Sequence, residues 1–282
     1  MKSNWGAAQT KESLINVVMP DTTFTAIILA ADRNRDDPLL RHAGVCTKAL
    51  VEINQRPMIS RVVEALARSR RVNDIVLSGP AKTCLENSAM LQELIGSGAV
   101  RWTEPANSPA SSAYQVLEQL PEGQPVLITT ADHPLLRPEI IDDFLERAST
   151  SGADVVAGVT TIDAIHEKFP GARKTVMRFS DNGYCGCNLF AFLTPQSHRV
   201  ANAWRSVEKQ RKNPLYIVRQ LGLGSVLRYS LGMLKMDTAA ERLSRKLDVT
   251  IKPVLLPFPE AAIDVDTVED QHFVEAILGA DK

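Results

Sequence analysis

Three aspartates and one lysine stand far apart in this chain, each where strand-to-helix folding would carry it to a sheet edge. Asp132 closes the run Val126-Leu-Ile-Thr-Thr-Ala-Asp132-His-Pro-Leu-Leu136, in which an apolar strand leads straight into a carboxylate. Asp264 and Asp266 fall in Asp264-Val-Asp266-Thr, just ahead of a last helical pattern. Lys48 follows a long polar loop that leaves the first apolar run. Carboxylate oxygens are hard ligands that suit an octahedral magnesium ion, and a lysine is a mobile point charge for phosphate. The set therefore suits chemistry on a phosphate chain bridged by a divalent cation. Each residue also has a plain structural reading. Asp132 could cap a helix, Asp264 and Asp266 could begin a box-like cap with Thr267 and Asp270, and Lys48 could be solvated.

Such residues need a scaffold that delivers strand ends to one edge. Phe24-Thr-Ala-Ile-Ile-Leu-Ala-Ala31 is a β-branched, apolar run of the kind buried in a parallel sheet. A polar loop, Asp32 to Thr47, and a short apolar run, Ala49 to Ile53, come next. Pro57 opens a helix whose apolar positions Ile59, Val62, Val63 and Leu66 keep helical spacing. Strand and helix then alternate through 74–79, 85–95, 99–102, 109–120, 125–130, 138–149 and 154–160. That alternation predicts an α/β fold of Rossmann-like kind, a mostly parallel twisted sheet with helices on both faces. Ligands in such sheets sit outside the carboxyl ends of the strands, where Asp132 falls.

Beyond residue 160 the pattern changes. Lys174 to Ser180 and Cys187 to Leu193 suggest two strands around a tight Asn182-Gly183 turn, making the sheet mixed. Pro195 to Leu247 is helical and basic, Val249 to Leu256 a strand, and Thr267 to Leu278 a closing helix. The expected organisation is a loose leader over 1–22 and one domain over 23–282, with a helical basic insertion at 195–247.

With 282 residues, 44% hydrophobic and 23% charged, the chain has the balance of a soluble globular protein. A net charge of -1 gives no global pull toward nucleic acid. It conceals an asymmetry, since eleven Lys/Arg face three Asp/Glu between Arg199 and Lys246. That stretch is about +8 and the remainder about -9. The insertion reads most simply as a helical cap with a solvated basic face or an oligomer interface; peripheral contact with an anionic lipid surface is the alternative. No run of about 18 apolar residues could span a membrane. No signal-peptide pattern opens the chain, and cytoplasm is the default location. Cys46, Cys84, Cys185 and Cys187 lack metal-site spacing and read as reduced thiols.

Ile28-Leu-Ala-Ala, Lys48-Ala-Leu, Pro57-Met-Ile with its amphipathic helix, Thr130-Ala-Asp132-His-Pro-Leu and Asp264-Val-Asp266-Thr-Val-Glu-Asp270 resemble one family. It is that of nucleotidyltransferases of the molybdenum-cofactor guanylyltransferase type, in a superfamily that includes sugar-1-phosphate nucleotidyltransferases and methylerythritol-phosphate cytidylyltransferase. The resemblance covers roughly Phe24 to Thr160 and Val254 onward, leaving the insertion outside. It implies that Lys48 contacts the triphosphate and stabilises transition-state charge, that Asp132 holds magnesium, and that Asp266 completes the metal site, with Asp264 its nearest competitor. Backbone N–H groups at Leu29, Ala30 and Ala31 would approach phosphate. The family's two loop glycines are missing from this chain, so Arg33, Arg35 or Arg41 would have to compensate. Ser108, at a polar helix start, would face the nucleobase or simply cap its helix. Lys174, Arg178 and Asn188 would flank the acceptor.

The activity so implied is magnesium-dependent transfer of a nucleotidyl group from a nucleoside triphosphate to a phosphorylated small-molecule acceptor, releasing pyrophosphate. Two rivals remain. A glycosyltransferase of related fold would usually carry Asp-x-Asp at the strand end, where Ala131-Asp132-His133 lacks the second acid. A nucleotide-binding relative without catalysis would fit the missing glycines but not the joint presence of Lys48, Asp132 and Asp266. Base, acceptor and oligomeric state have no signature.

Overall fold

The computed structural model describes residues 22–32, 36–209 and 223–280. Apart from Thr22, the expected leader lies outside them, as do Arg33 and Arg35. Strand β1 (Phe24–Leu29) is followed by α1 (Pro38–Ala43), the short β2 (Glu52–Ile53) and β3 (Arg56–Pro57), α2 (Met58–Ala67) and β4 (Val72–Ser78). Then come α3 (Lys82–Glu86), α4 (Ala89–Gly96), β5 (Arg101–Thr103), α5 (Pro109–Leu117), β6 (Val126–Thr130), α6 (Pro138–Thr150) and β7 (Val155–Thr161). The rest is α7 (Ile162–Lys168), β8 (Met177–Arg178), β9 (Gly183–Phe192), α8 (His198–Lys209), α9 (Leu223–Ser230), α10 (Met236–Leu247), β10 (Ile251–Leu255), a 3-10 turn (Pro259–Ala262) and α11 (Val268–Ala280).

The main sheet runs β10-β7-β9-β6-β1-β4-β5, with β8 paired to β9. Every pair is parallel except those made by β9, which lies antiparallel between β6 and β7 and also against β8. This is the mixed, mostly parallel sheet that the alternating pattern predicts. Phe24, Ile28, Leu127 and Val156 face one apolar layer, completed by α2, α6 and α11. Ile27, Val76, Ile128, Val155 and Phe192 face the other, under α5 and α8. Burial on both sides is why the strands read as continuous apolar runs rather than alternating ones.

Three local predictions need correcting. The loop from Asp32 to Thr47 contains α1, started by Pro38 and ended by Gly44 in the left-handed region (φ 66°). Residues after Thr160 form α7, capped by the Thr161 hydroxyl, where no helix was expected. The hairpin around Asn182-Gly183 exists, but its second strand begins at Gly183, four residues early, because β9 is a full-length sheet strand.

The cysteines also differ from expectation. Cys46 and Cys84 form a disulfide, with Cα atoms 5.8 Å apart, while Cys185 and Cys187 are buried free thiols. Burial pushes the Cys187 thiol up to about 12. A spacing of 38 residues carries no signal in sequence, since the pairing depends on α3 packing beside the loop ahead of Lys48. Cys46 and Cys84 are thus not the reduced thiols expected of them. No helix among the described residues is long and apolar enough to cross a membrane.

Candidate active site

The parallel register of β1 with β6 sets Leu29 beside Thr130, so Ala30-Ala31 and Asp132 leave the sheet at the same end. The Ala131 N–H donates to the Leu29 carbonyl at 3.1 Å and the Ala30 N–H to the Ser78 carbonyl at 2.9 Å, tying the three exits together. Gly79, at φ 94°, lets β4 join them. A Cβ there would fall 2.9 Å from the Ala31 nitrogen and 3.0 Å from the Ala30 carbonyl carbon. Only glycine fits this close approach.

These exits open into a cavity of about 610 Å³. Leu29, Ala30, Ala31, Lys48, Asp132, Asn188, Asp264 and Asp266 all line it, so folding brings together residues up to 237 positions apart. Lys48 stands between two carboxylates, its Nζ 3.0 Å from Asp37 Oδ2 and 3.0 Å from Asp266 Oδ1. Burial works against its charge, but Asp266 and Asp37 outweigh it and hold the ammonium above its ordinary pKa. The backbone of Lys48 is anchored too, donating to Asp32 Oδ1 at 3.1 Å.

Asp132 has a different environment. Thr130 Oγ1 donates to its Oδ1 at 2.5 Å, and the Val265 N–H donates to its carbonyl at 3.0 Å, drawing the last strand-to-helix loop onto it. Burial raises the carboxyl pKa above its ordinary value; His133 and Thr130 oppose this, while the charges of Asp264 and Asp266 add to it. Asp264 pairs with the Lys174 ammonium. Burial would raise its pKa, but His133 and Lys174 outweigh it and hold the carboxyl below the ordinary value. Asp266 is the most exposed of the three at 62%.

Other expected site residues are placed less simply. Ser108 is the N-cap of α5, its hydroxyl accepting from the Ser111 N–H at 3.2 Å; its neighbour Pro109 lines the cavity instead. Lys174 is committed to Asp264, and Arg178 is exposed on β8, outside the cavity lining. Asn188 does face the cavity, at φ 48°, with its Nδ2 2.9 Å from His133 Nε2.

Sequence reasoning passed over Asp32, Asp37 and His133. Asp32 turns inward to hold the Lys48 amide. Asp37 both caps α1, accepting from the Leu39 N–H at 2.9 Å, and pairs with Lys48; Asp-Pro ahead of an apolar pair was a readable cap signal. His133, only 2% exposed, links Asn188 to the neighbourhood of Asp132, which no spacing reveals.

Among the described residues, five aspartates and one lysine line the cavity. Such a wall repels a phosphate chain unless a cation comes with it. No group of three or more His, Cys, Asp or Glu among the described residues could hold an ion by itself, so a ligand would have to supply the remaining oxygens.

Residues 26–248 match the family model described as the MobA-like NTP transferase domain. The chain belongs to this family. It is a nucleotidyltransferase. The matched span runs through the insertion that the motif resemblance left out, and ends before Asp264. Among named relatives, 3-deoxy-manno-octulosonate cytidylyltransferase of Chloroherpeton thalassium is 26% identical over 245 residues, covering 85% of this chain and 94% of that one. A 2-C-methyl-D-erythritol 4-phosphate cytidylyltransferase of Frankia casuarinae is 27% identical over 251 residues, covering 86% and 85%. The solved structure of a hypothetical transferase from Thermus thermophilus superimposes with a TM-score of 0.72 at 28% identity, covering 89% of this chain and all of that one.

Proposed function

We propose that this nucleotidyltransferase moves a nucleotidyl group from a nucleoside triphosphate to a phosphorylated small-molecule acceptor, using magnesium held by Asp132 and Asp266. The carrying observation is the convergence of Lys48, Asp132 and Asp266 in one cavity at the ends of β1 and β6. A magnesium ion fits the acidic excess there, since it would offset the desolvation that drives the Asp132 carboxyl upward and the charges of Asp264 and Asp266 that add to it. Held by Asp132 and Asp266, it would supply positive charge against the phosphates.

In this reading an acceptor phosphate oxygen forms a bond to the α-phosphorus as the bond to pyrophosphate breaks. The chain positions and neutralises rather than forming a covalent intermediate. Lys48 now satisfies Asp37 and Asp266; an arriving triphosphate offers it a denser negative charge, and its transfer frees Asp266 for the ion. Asp264 stays paired with Lys174 and keeps the segment 264–266 in place. Asp32, by fixing the Lys48 amide, limits this swing to the side chain. The names of the two cytidylyltransferase relatives support cytidine triphosphate as the first donor to test.

The test is pyrophosphate release from each of four nucleoside triphosphates with a panel of phosphorylated acceptors, with and without magnesium. Release that needs triphosphate, acceptor and magnesium together is expected. Full release without a divalent cation would rule out Asp132 and Asp266 as ligands of a catalytic metal.

A further inference from the structure

The cavity does not stop at its charged residues. It continues past Asp132 along one face of the sheet to Ile128, Val155, Phe190, Phe192, Val200 and Trp204. Strand order sets the direction: the loop that carries Lys48 leaves β1, Asp132 follows β6, and the apolar end runs from Ile128 on β6 over β9 to β7 beneath α8.

Helix α8 is held as a wall there. Ala110, in the first turn of α5, donates its N–H to Glu208 Oε2 at 3.0 Å. The Arg205 guanidinium lies 4.0 Å from the centroid of the Tyr114 ring. The Trp204 and Phe190 rings sit 6.4 Å apart, and both remain partly exposed where they line the void.

This end of the cavity is poorly suited to a hydroxyl-rich body. Of its six side chains, Trp204 alone has a hydrogen-bond donor and none has an acceptor. A sugar hydroxyl desolvated there would lack a partner, whereas an apolar group gains from the same burial. The charged end, a few side chains away, suits a phosphate that arrives with a divalent cation.

We propose that the acceptor is an amphiphile, the phosphate monoester of an apolar alcohol, with its phosphate at Asp132 and its apolar body between β9 and α8. The inference rests on the transfer reading above and names the substrate class of the same site. It assigns the apolar end to the acceptor rather than the nucleobase on geometric grounds. Attacking and leaving oxygens lie roughly in line across the α-phosphorus. Lys48, which would hold the leaving phosphates, is on the β1 side of Asp132; the apolar end is on the other.

The experiment titrates the full chain, in buffer containing magnesium, with n-alkyl phosphates from butyl to octyl at monomeric concentrations, with inorganic phosphate and glucose 1-phosphate as controls. Calorimetry reads binding, and pyrophosphate release with each triphosphate reads turnover. Affinity should rise about three- to fourfold per buried methylene until the apolar end is filled, and turnover should follow the same order. Val200→Thr, which keeps shape but adds a hydroxyl, and Trp204→Gln should both flatten that rise; melting curves would show that each is folded. A flat series, glucose 1-phosphate outperforming octyl phosphate, or triphosphate alone displacing the alkyl chain would each overturn the proposal. Steep alkyl-phosphate binding with no pyrophosphate release would uphold the subsite and reject the transfer reading. Turnover of a sugar phosphate beside a flat alkyl series would do the reverse.

Discussion

Glu260 and Asp132 are carboxylates held against the same sheet, and their surroundings push them in opposite directions. Glu260, in the 3-10 turn packed on β7 and β9, is 6% exposed and pairs with Arg137 and with Lys168, the latter at 3.0 Å. Burial alone would raise its pKa, yet its own backbone amide, Lys168 and Arg137 prevail and hold the carboxyl below the ordinary value. Asp132 is half-buried, with a hydroxyl donor, His133 and two aspartates nearby, and desolvation takes its pKa up despite His133 and Thr130. Desolvation works against the charge of both carboxylates, so it does not by itself explain the opposite directions. Charge balance differs: Glu260 faces two cations within the fold, whereas Asp132 faces two aspartates and one histidine, and in the proposed reading a bound cation would offset that excess.

The sharpest way to break this contrast is Asp132→Asn. Turnover should fall at least about a hundredfold, as when a preorganised charge-stabilising group is lost. Stability in cation-free buffer should rise. The sign follows from the raised pKa: the wild-type contribution is fully present below the unfolded value of 3.8 and lost as pH rises through the folded one. The asparagine variant escapes that loss, so its advantage should appear in neutral melts and vanish near pH 3. A variant both inactive and unstable at neutral pH would make Asp132 structural.

Lys48→Ala should cost about 2–4 kcal/mol in kcat/KM, and Lys48→Arg should rescue poorly because a planar fork does not replace a compact charge. Steady-state kinetics within a factor of about three of the parent would leave Lys48 only a structural ion-pair partner of Asp37 and Asp266.

Reducing the Cys46–Cys84 disulfide, or replacing both residues with serine, should cost about 2–4 kcal/mol of unfolding free energy by denaturant titration. The bond anchors the loop ahead of Lys48 to α3, so KM for triphosphate should rise more than kcat falls.

Glu260→Gln should lose about 1–3 kcal/mol of stability, because two cations lose a buried charged partner, and keep its kcat. With a depressed folded pKa, the wild-type benefit is present above the unfolded value of 4.5 and is lost as pH falls through the folded one. The gap between the two proteins should thus close in acid, as melts across pH 3 to 7 would show.

The sheet was legible because its strands are buried on both faces and its helices keep helical spacing; Phe24–Leu29, Val126–Thr130 and Pro138–Thr150 fall within a residue or two of prediction. Lys48, Asp132 and Asp266 were legible as strand-end and loop residues of the right chemical types. What stayed hidden depends on contacts rather than pattern. The central place of β9 follows from pairing with strands on either side, and the Cys46–Cys84 bond from two loops meeting. Asp32 stayed hidden because sequence cannot show which way a loop carboxylate turns. Ser108 was ambiguous between base reader and cap, and its hydroxyl is engaged as a cap.

The central claim is best tested by assaying wild type, Asp132→Asn and Glu260→Gln side by side for pyrophosphate release from cytidine triphosphate with magnesium and the acceptor series, at a temperature where all three are folded. The account predicts wild-type rates for Glu260→Gln and no release above background for Asp132→Asn. Release retained by Asp132→Asn and lost by Glu260→Gln would contradict it.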